Sequence, residues 1–344
     1  MDGFNTSSII YNVSTNVTDV NRSLAPAEIL LIYILPIIIF VGLFGNVASF
    51  VVFLDKELRH ISSSVYIMAV LCSDTGMLLN QTLVWLEALR INPWFGQGMC
   101  KLFVFSGFVF AFLSEWYVVC ITVENYVTLR HPTKIKTLCT IRRAVIVTTS
   151  LATLAVSSYF IYLFTTGTDN GYCNNNMTSK LEQIYFYVDN IATLLLPTIV
   201  VFVLLAAIVL QVIKSIKSKR RMSLSKTNKK KSSIPQVRVA KMLFVLSISA
   251  FVLSTPDHVV KLYFSMSGLI FLKLTETQKL TFLVFMFLYY TRFSTKFFIL
   301  IAFSKNFRKK LLSKIKCDKN LYDMVQSKES SAVHHVATNT SPTS

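Results

Sequence analysis

Six ionisable side chains stand inside long apolar stretches of this sequence. A charge in apolar surroundings costs several kcal/mol unless it is paired or hydrated, so each of them is a candidate functional residue. The chemistry open to them is ion pairing and, for the histidine, titration near neutral pH. The six residues are Asp74, Glu115, Asp257, His258, Arg292 and Lys296.

The sequence lacks the patterns that catalysis requires. It has no His and Cys cluster with metal-ligand spacing, no nucleophile triad and no glycine-rich phosphate loop. We therefore predict that the protein is not an enzyme and has neither a metal site nor a cofactor.

The apolar stretches around these residues are long enough to cross a membrane. A helix needs about 20 residues to span the hydrocarbon core, and apolar runs of about 10 to 14 residues are more typical of buried helices in soluble proteins. The stretches are residues 29–54, 65–86, 102–123, 144–164, 191–213, 242–260 and 280–303. The sequence therefore predicts an all-α membrane protein with a seven-transmembrane helix bundle over residues 29–303.

Charge is scarce in this chain and unevenly distributed. Residues are 53% hydrophobic and 15% charged, yet the net charge is +18. Alternate connecting segments (55–64, 124–143, 214–241 and 304–344) carry 26 of the 35 Lys and Arg residues, and the segments on the other side carry 7. Because Lys and Arg favour cytoplasmic loops, we predict an extracellular N-terminus and a cytoplasmic C-terminus. The basicity is thus a signal of topology and does not indicate nucleic-acid binding.

Acceptor triplets for N-glycosylation agree with this orientation. Five Asn-x-Ser/Thr triplets lie on the predicted outer side. They begin at Asn5, Asn12, Asn16 and Asn21, in the tail 1–28, and at Asn176, in an outer loop. The N-terminus lacks the pattern of a cleaved signal peptide, so we expect the first span to act as an uncleaved anchor.

Short motifs along residues 28–317 resemble those of rhodopsin-like (class A) G-protein-coupled receptors. In chain order they are Gly45-Asn46-Val47, Ser73-Asp74, Trp94-Phe95-Gly96 with Cys100, Glu124-Asn125-Tyr126 with Pro132, Pro197, Pro256, and Ser304-Lys305-Asn306-Phe307-Arg308. The divergence of the chain from the family pattern resembles orphan invertebrate receptors of the neuropeptide type.

The resemblance implies features outside the spans. Cys100 and Cys173 are expected to form an extracellular disulfide. Residues 304–317 are expected to form a short amphipathic eighth helix, followed by a disordered cytoplasmic tail, 318–344. Cys317 is a candidate for palmitoylation, with a plain free thiol as the alternative.

The chain departs from the family at its activation switches. Asn125 replaces the Arg that the family directs toward the G protein, and the sixth-span switch is Leu253-Ser254-Thr255-Pro256. The seventh-span motif becomes Lys296-Phe297-Phe298-Ile299-Leu300. These departures affect the switches and leave the predicted fold unchanged.

We predict a polar network within the membrane from the same comparison. In this family Asp74 serves a sodium ion, and Ser114 matches one of its partners. Because Lys296 stands at a polar position of the seventh span, we expect it to pair with Asp74 and to replace the sodium ion. Asn46 is assigned to this network as well. For Arg292 three options stay open: pairing with Glu115, pairing with Asp257, or facing internal water.

The predicted ligand pocket lies around the proline of the sixth span. Asp257 and His258 follow that proline, and His258 serves either a pH-sensitive site or a hydrogen-bonded packing role. Gly107 stands where amine receptors carry an aspartate, which argues against a monoamine ligand. Tyr290 is expected to line the same pocket.

These observations predict a plasma-membrane receptor that signals from an extracellular ligand, a neuropeptide, to a heterotrimeric G protein through Glu124, Asn125 and Tyr126. The alternatives are a small-molecule chemosensory or pheromone receptor and a non-coupling receptor that acts as a scavenger or dimer partner. A transporter or channel is disfavoured because no internal repeat is visible. The basic third inner loop is expected to contact membrane lipids, the G protein, or both. The oligomeric state is not predicted.

Overall fold

The computed structural model describes residues 29–89, 91–93, 96–169, 172–175, 179–223, 235–267 and 275–315. Several predicted features lie outside these residues. They are the tail 1–28 with Asn5, Asn12, Asn16 and Asn21, the glycosylation site Asn176, the pair Trp94-Phe95, Cys317 and the tail 318–344.

Seven long helices dominate the described residues and confirm the predicted seven-helix membrane fold. Each has a segment long and apolar enough to cross a membrane. We number them α1 (Leu35–Phe53), α2 (Ser62–Ala88), α3 (Gln97–Arg130), α4 (Ile141–Tyr159), α5 (Leu196–Ser223), α6 (Pro235–Ser267) and α7 (Glu276–Phe303). Shorter helical segments precede α1 (Leu30–Ile34) and α5 (Ser179–Asp189 and Asn190–Leu195).

Between α4 and α5 the chain forms a hairpin of two strands, β1 (Thr166–Asp169) and β2 (Tyr172–Asn175). The strands are antiparallel, and Thr168 pairs with Cys173. The predicted disulfide is confirmed: Cys173 is bonded to Cys100 at the start of α3, with 5.4 Å between their Cα atoms. We call this end of the bundle the hairpin end and the other the opposite end.

Two of the long helices, α4 and α7, are preceded by a threonine whose side chain satisfies a free backbone group. The Thr140 hydroxyl accepts a hydrogen bond from the Arg143 N–H at the start of α4. At the start of α7, Thr275 and Gln278 form a reciprocal capping box. Such caps satisfy N–H groups that have no partner inside the helix.

Polarity in the bundle is reversed relative to a soluble protein. Large apolar side chains such as Phe44 (71% exposed) and Phe202 face outward from α1 and α5, whereas Asp74, Glu115 and Arg292 are buried between helices. Lipid tails accept an apolar exterior, and buried polar side chains avoid them by facing the bundle interior. The sequence pattern therefore places the charged residues together inside the bundle.

Close helix contacts hold α7 in place. A Cβ atom on Gly45 of α1 would lie 2.8 Å from Phe297 Cβ of α7, so a larger residue there would force the two helices apart. Near this contact, the Ser294 hydroxyl of α7 donates to the Ile38 carbonyl of α1 at 2.8 Å. Small residues at such contacts are typical of helix packing in membranes. These contacts fix the α7 face that carries Arg292 and Lys296.

A helical segment, residues 305–315, follows α7 after Ser304. Its Phe307 is buried against Phe53 of α1, with 5.8 Å between ring centroids. Lys310 Nζ lies 3.1 Å from Asp55 Oδ1 and 3.0 Å from Glu57 Oε1, in the turn after α1. The segment lies within the predicted eighth helix, 304–317, whose amphipathic role stays a prediction.

Candidate functional site

The candidate site is a polar cluster in the middle of the bundle, which we call the ionic network. It joins α2, α3 and α7 through side chains that the surrounding helices shield from solvent. Its members are Asp74, Ser114, Glu115, Arg292 and Lys296.

Lys296 and Asp74 form the first ion pair of the network. Lys296 Nζ contacts Asp74 Oδ2, and its second contact is with the Arg292 carbonyl one turn earlier, at 3.4 Å. The other carboxylate oxygen of Asp74 accepts a hydrogen bond from the Ser114 hydroxyl at 2.7 Å. Both oxygens of this buried carboxylate are therefore occupied by partners from other helices.

Arg292 and Glu115 form the second ion pair. Arg292 Nη1 lies 2.5 Å from Glu115 Oε1, and its Nη2 donates to the Ser114 hydroxyl at 2.8 Å. Nη1 also donates to the Ser254 hydroxyl of α6 at 3.1 Å. The structure thus selects Glu115 among the three options that the sequence left open for Arg292.

The Ser114 hydroxyl joins the two ion pairs. It donates its one proton to Asp74 and accepts a bond from Arg292, so each pair constrains the geometry of the other. Two anions and two cations leave the network neutral overall. Removing one member of a buried ion pair is strongly destabilising, because the remaining charge has no compensation.

His258 lies beside the network and links it to α5. Its Nδ1 lies 3.0 Å from the Thr198 hydroxyl oxygen, and its Nε2 lies 3.6 Å from Glu115 Oε1. The second distance is too long for a hydrogen bond. The imidazole ring also packs against Tyr289, with 5.7 Å between centroids.

Asp257 pairs with a lysine that the sequence analysis did not assign. Lys261 Nζ, one turn later on α6, lies 2.7 Å from Asp257 Oδ2. The i, i+4 spacing of the two residues was a signal available in the sequence. Tyr290 is buried nearby on α7 and packs against Tyr289.

At the opposite end, Glu124 is held by hydroxyl groups of α2. Its Oε1 accepts hydrogen bonds from Ser62 at 2.6 Å and from Ser63 at 2.8 Å. Asn125 is fully buried, and Tyr126 is half-buried. The sequence analysis missed both serines, although a run of three serines at the start of α2 was a visible signal.

Between the ionic network and the opposite end lies a small apolar cavity of about 10 Å³. The hydroxyl oxygens of Thr122 on α3 and Ser247 on α6 lie 2.8 Å apart, and Ser247 lines the cavity. The remaining lining residues are Ile67, Val70, Val118, Ile121, Leu246, Lys296 and Leu300. The side chain of Lys296 therefore belongs both to the ionic network and to the wall of this cavity.

The sequence from residue 45 to residue 295 matches the family described as 7 transmembrane receptor (rhodopsin family). The chain belongs to this family. The receptor is 24% identical to the C-C chemokine receptor type 3 of Cavia porcellus over 273 residues, which are 77% of this chain and 70% of that relative. Family and fold together make it a multi-pass plasma-membrane protein. The finer resemblance to invertebrate neuropeptide receptors stays a prediction.

The sodium ion that the family resemblance implies does not fit this receptor. Asp74 Oδ2 is in contact with the Lys296 ammonium, and Asp74 Oδ1 accepts the Ser114 proton. A sodium ion at this carboxylate would meet the positive charge of Lys296.

Two further residues were assigned from the sequence. Asn46 is buried in α1, and neither atom of its side-chain amide forms a hydrogen bond with a described residue, so its place in the network stays a prediction. Gly107 lies at the contact between α3 and α2, where an added Cβ would be 3.3 Å from Asn80 Nδ2.

Proposed function

We propose that this receptor binds an extracellular peptide at its hairpin end and passes the signal to a heterotrimeric G protein at its opposite end. The observation that carries the proposal is the ionic network, in which two residues of α7, Arg292 and Lys296, contact α2, α3 and α6. The proposal assigns the hairpin end to the outside and the opposite end to the cytoplasm.

A buried ion network suits a switch because it has a small number of distinct arrangements. A ligand that displaces His258 or Tyr289 would change the surroundings of Glu115 and Arg292, since these groups are in contact. The change would reach Ser254 and Lys296 through direct bonds. Coupling between distant sites requires such an element with two states, which both sites bias.

The opposite end contains a hydroxyl contact that such a change can break. Thr122 and Ser247 join α3 to α6 through their hydroxyl groups, beside the small apolar cavity. Separation of α6 from α3 would expose the cytoplasmic surface between them. The basic connecting segments on that side would then attract acidic surfaces of a G protein or anionic lipid.

Three observations support a peptide as the ligand. Gly107 provides no carboxylate for an amine ligand at the α2–α3 contact. The β1–β2 hairpin beside the start of α3 offers backbone groups to an extended chain. The relative in Cavia porcellus is, by its name, a receptor for C-C chemokines, which agrees with a polypeptide ligand.

A second candidate function is a receptor that binds its ligand without G-protein coupling. The observation that favours it is Asn125, a fully buried amide where the family resemblance expects an arginine directed toward the G protein. An asparagine side chain is shorter than that arginine and carries no charge.

Expression of the full chain with a panel of Gα fusions, screened against peptide and metabolite libraries, separates these functions. We expect a peptide to activate at least one fusion, and the Arg292→Gln variant to lose that response. A silent wild type whose Asn125→Arg variant responds would favour the non-coupling receptor. Activation by a metabolite alone would support the chemosensory alternative.

A further inference from the structure

We propose that the receptor recognises a cationic side chain of its ligand, an ammonium or guanidinium group, in a pocket of unpaired hydrogen-bond acceptors. This inference rests on the proposed peptide-binding function and names the chemistry of the ligand. We call the site the acceptor pocket; its residues are Gln81, Asp257, Lys261, Tyr289 and Tyr290.

Gln81 and Asp257 each have a side-chain acceptor atom without a hydrogen-bond partner among the described residues. Asp257 is fully buried, and its Oδ1 has no hydrogen-bond partner among the described residues. Gln81 Oε1 is also buried without such a partner, although the Gln81 side chain interacts with the Tyr290 hydroxyl. Buried acceptors without donors are costly, so a ligand that brings several N–H groups gains binding energy here.

The contact of Lys261 with Asp257 is one that a ligand cation can replace. Its Nζ lies 2.7 Å from Asp257 Oδ2 and 5.1 Å from the centroid of the Tyr289 ring. The Lys261 side chain is 32% exposed, and its long stem lets the ammonium turn toward solvent. A ligand cation in the place of this ammonium would contact both the Asp257 carboxylate and the Tyr289 ring.

Asp189, just before α5, is a second acidic side chain near Lys261. Its Oδ1 accepts hydrogen bonds from Tyr159 at 2.5 Å and from Thr193 at 2.9 Å. Lys261 lies within electrostatic range of this side chain as well as in contact with Asp257.

The burial of Asp257 strengthens its attraction for a ligand cation. Its carboxylate is fully buried, and a charge pair is stronger in such surroundings than in water.

Neighbouring contacts explain why the cation would belong to a peptide. Asn80 precedes Gln81 on α2, and its buried Nδ2 donor has no hydrogen-bond partner among the described residues. Gly107 lies close to this donor, since an added Cβ would be 3.3 Å from Asn80 Nδ2. A ligand that carries carbonyl oxygens as well as a cation, as a peptide does, would satisfy both kinds of unpaired atom.

The test uses the purified full-length receptor and a pair of probes that differ in charge. Benzamidine carries a planar cation on an aromatic ring, and benzamide is its neutral counterpart. Thermal melting at increasing probe concentration gives an apparent Kd for each. We expect benzamidine to stabilise the wild type, and benzamide to have no effect. In Lys261→Met, which vacates Asp257, we expect benzamidine to bind at least tenfold more tightly.

Two further variants complete the design. Asp257→Asn is expected to abolish the benzamidine effect, and Lys180→Met, which removes an exposed cation near the hairpin end, is expected to leave it unchanged. If Lys261→Met does not fold, the comparison of wild type with Asp257→Asn decides the question. Equal effects of the two probes, or unchanged benzamidine binding in Asp257→Asn, would overturn the proposal.

The readout contains no G protein, so the two proposals fail separately. Benzamidine binding in a receptor that activates no Gα fusion would support the acceptor pocket while contradicting the signalling function. Peptide activation that persists in Asp257→Asn would overturn the pocket and leave the signalling function in place.

Discussion

Arg292 of α7 and Glu115 of α3 form an ion pair inside the bundle, with 2.5 Å between Nη1 and Oε1 and with side-chain exposures of 1% and 8%. The guanidinium also lies against the rings of Tyr289 and Phe293, with its Cζ 5.0 Å and 4.9 Å from their centroids. A planar cation that is paired and stacked in this way holds α3 and α7 at a fixed spacing.

We expect loss of either partner of this pair to destabilise the receptor. Glu115→Gln and Arg292→Gln should each lower the free energy of unfolding by about 3–5 kcal/mol, because one buried charge stays unpaired. The double variant Glu115→Gln/Arg292→Gln should be less destabilised than the sum of the two single variants. Thermal melting of the four purified proteins measures the coupling, and additive effects would contradict the pairing.

Lys296 should make the receptor insensitive to sodium. Its ammonium contacts the Asp74 carboxylate, so a sodium ion finds no free charge at that position. We expect equal melting temperatures in sodium chloride and in choline chloride at the same ionic strength. Lys296→Asn removes the internal cation and should introduce a difference between the two salts. A strong effect of sodium on the wild type would refute this role of Lys296.

The Ser62 and Ser63 hydroxyls both donate to Glu124, and each should partly compensate for loss of the other. Ser62→Ala or Ser63→Ala leaves one hydroxyl donor on the carboxylate, and each is expected to cost about 1–3 kcal/mol of stability. The double variant leaves neither hydroxyl and should cost more than the sum, with increased basal signalling in the Gα fusion assay. Ser64→Ala, at the next position of α2, is the matched control. A double variant with the stability of the wild type would show that the hydroxyls do not hold Glu124.

The ion pairs of Lys310 with Asp55 and Glu57 should hold the segment 305–315 against the turn after α1 over a wide pH range. The Glu57 N–H and the Lys310 ammonium hold the pKa of Asp55 below its ordinary value, so this carboxylate stays charged until strongly acid pH. Hydrogen bonds to Glu57 and Asp55 raise the pKa of Lys310, so its charge persists into strongly alkaline solution.

The sign of the pH effect follows from these two directions. Because the pKa of Asp55 is lowered, its contribution to stability is present above the ordinary carboxylate pKa and is lost as the pH falls through the lowered pKa. Because the pKa of Lys310 is raised, its contribution to stability is lost only at high pH. Hydrogen exchange in residues 305–315 should therefore be constant from pH 5 to 9 after correction for the intrinsic rate. Lys310→Gln should increase it, whereas the exposed neighbour Lys309, as Lys309→Gln, should not.

Much of the fold was predictable from the sequence because the bilayer imposes local rules. A spanning helix needs about 20 apolar residues whatever surrounds it, so the span 280–303 could be located without knowledge of its neighbours. The structure extends some helices beyond the predicted spans, as in α3 (Gln97–Arg130), because hydrophobicity marks the membrane crossing and not the helix end.

The site was predictable only in part. The residue types around Asp74, Ser114 and Lys296 indicated an intramembrane contact, since a lone charge in lipid needs a partner. The run of three serines at the start of α2 was visible in the sequence, but not that Ser62 and Ser63 would be the two that reach Glu124. Those relationships depend on the rotation of each helix about its own axis.

The sequence by itself determined which residues are buried charges and in which helices they lie, because length and hydrophobicity are properties of a single segment. Only the tertiary structure decided that Arg292 pairs with Glu115 and leaves Asp257 to Lys261. Both carboxylates were chemically suitable. The choice was made by the packing of α3, α6 and α7, which places one of them within 2.5 Å of the guanidinium.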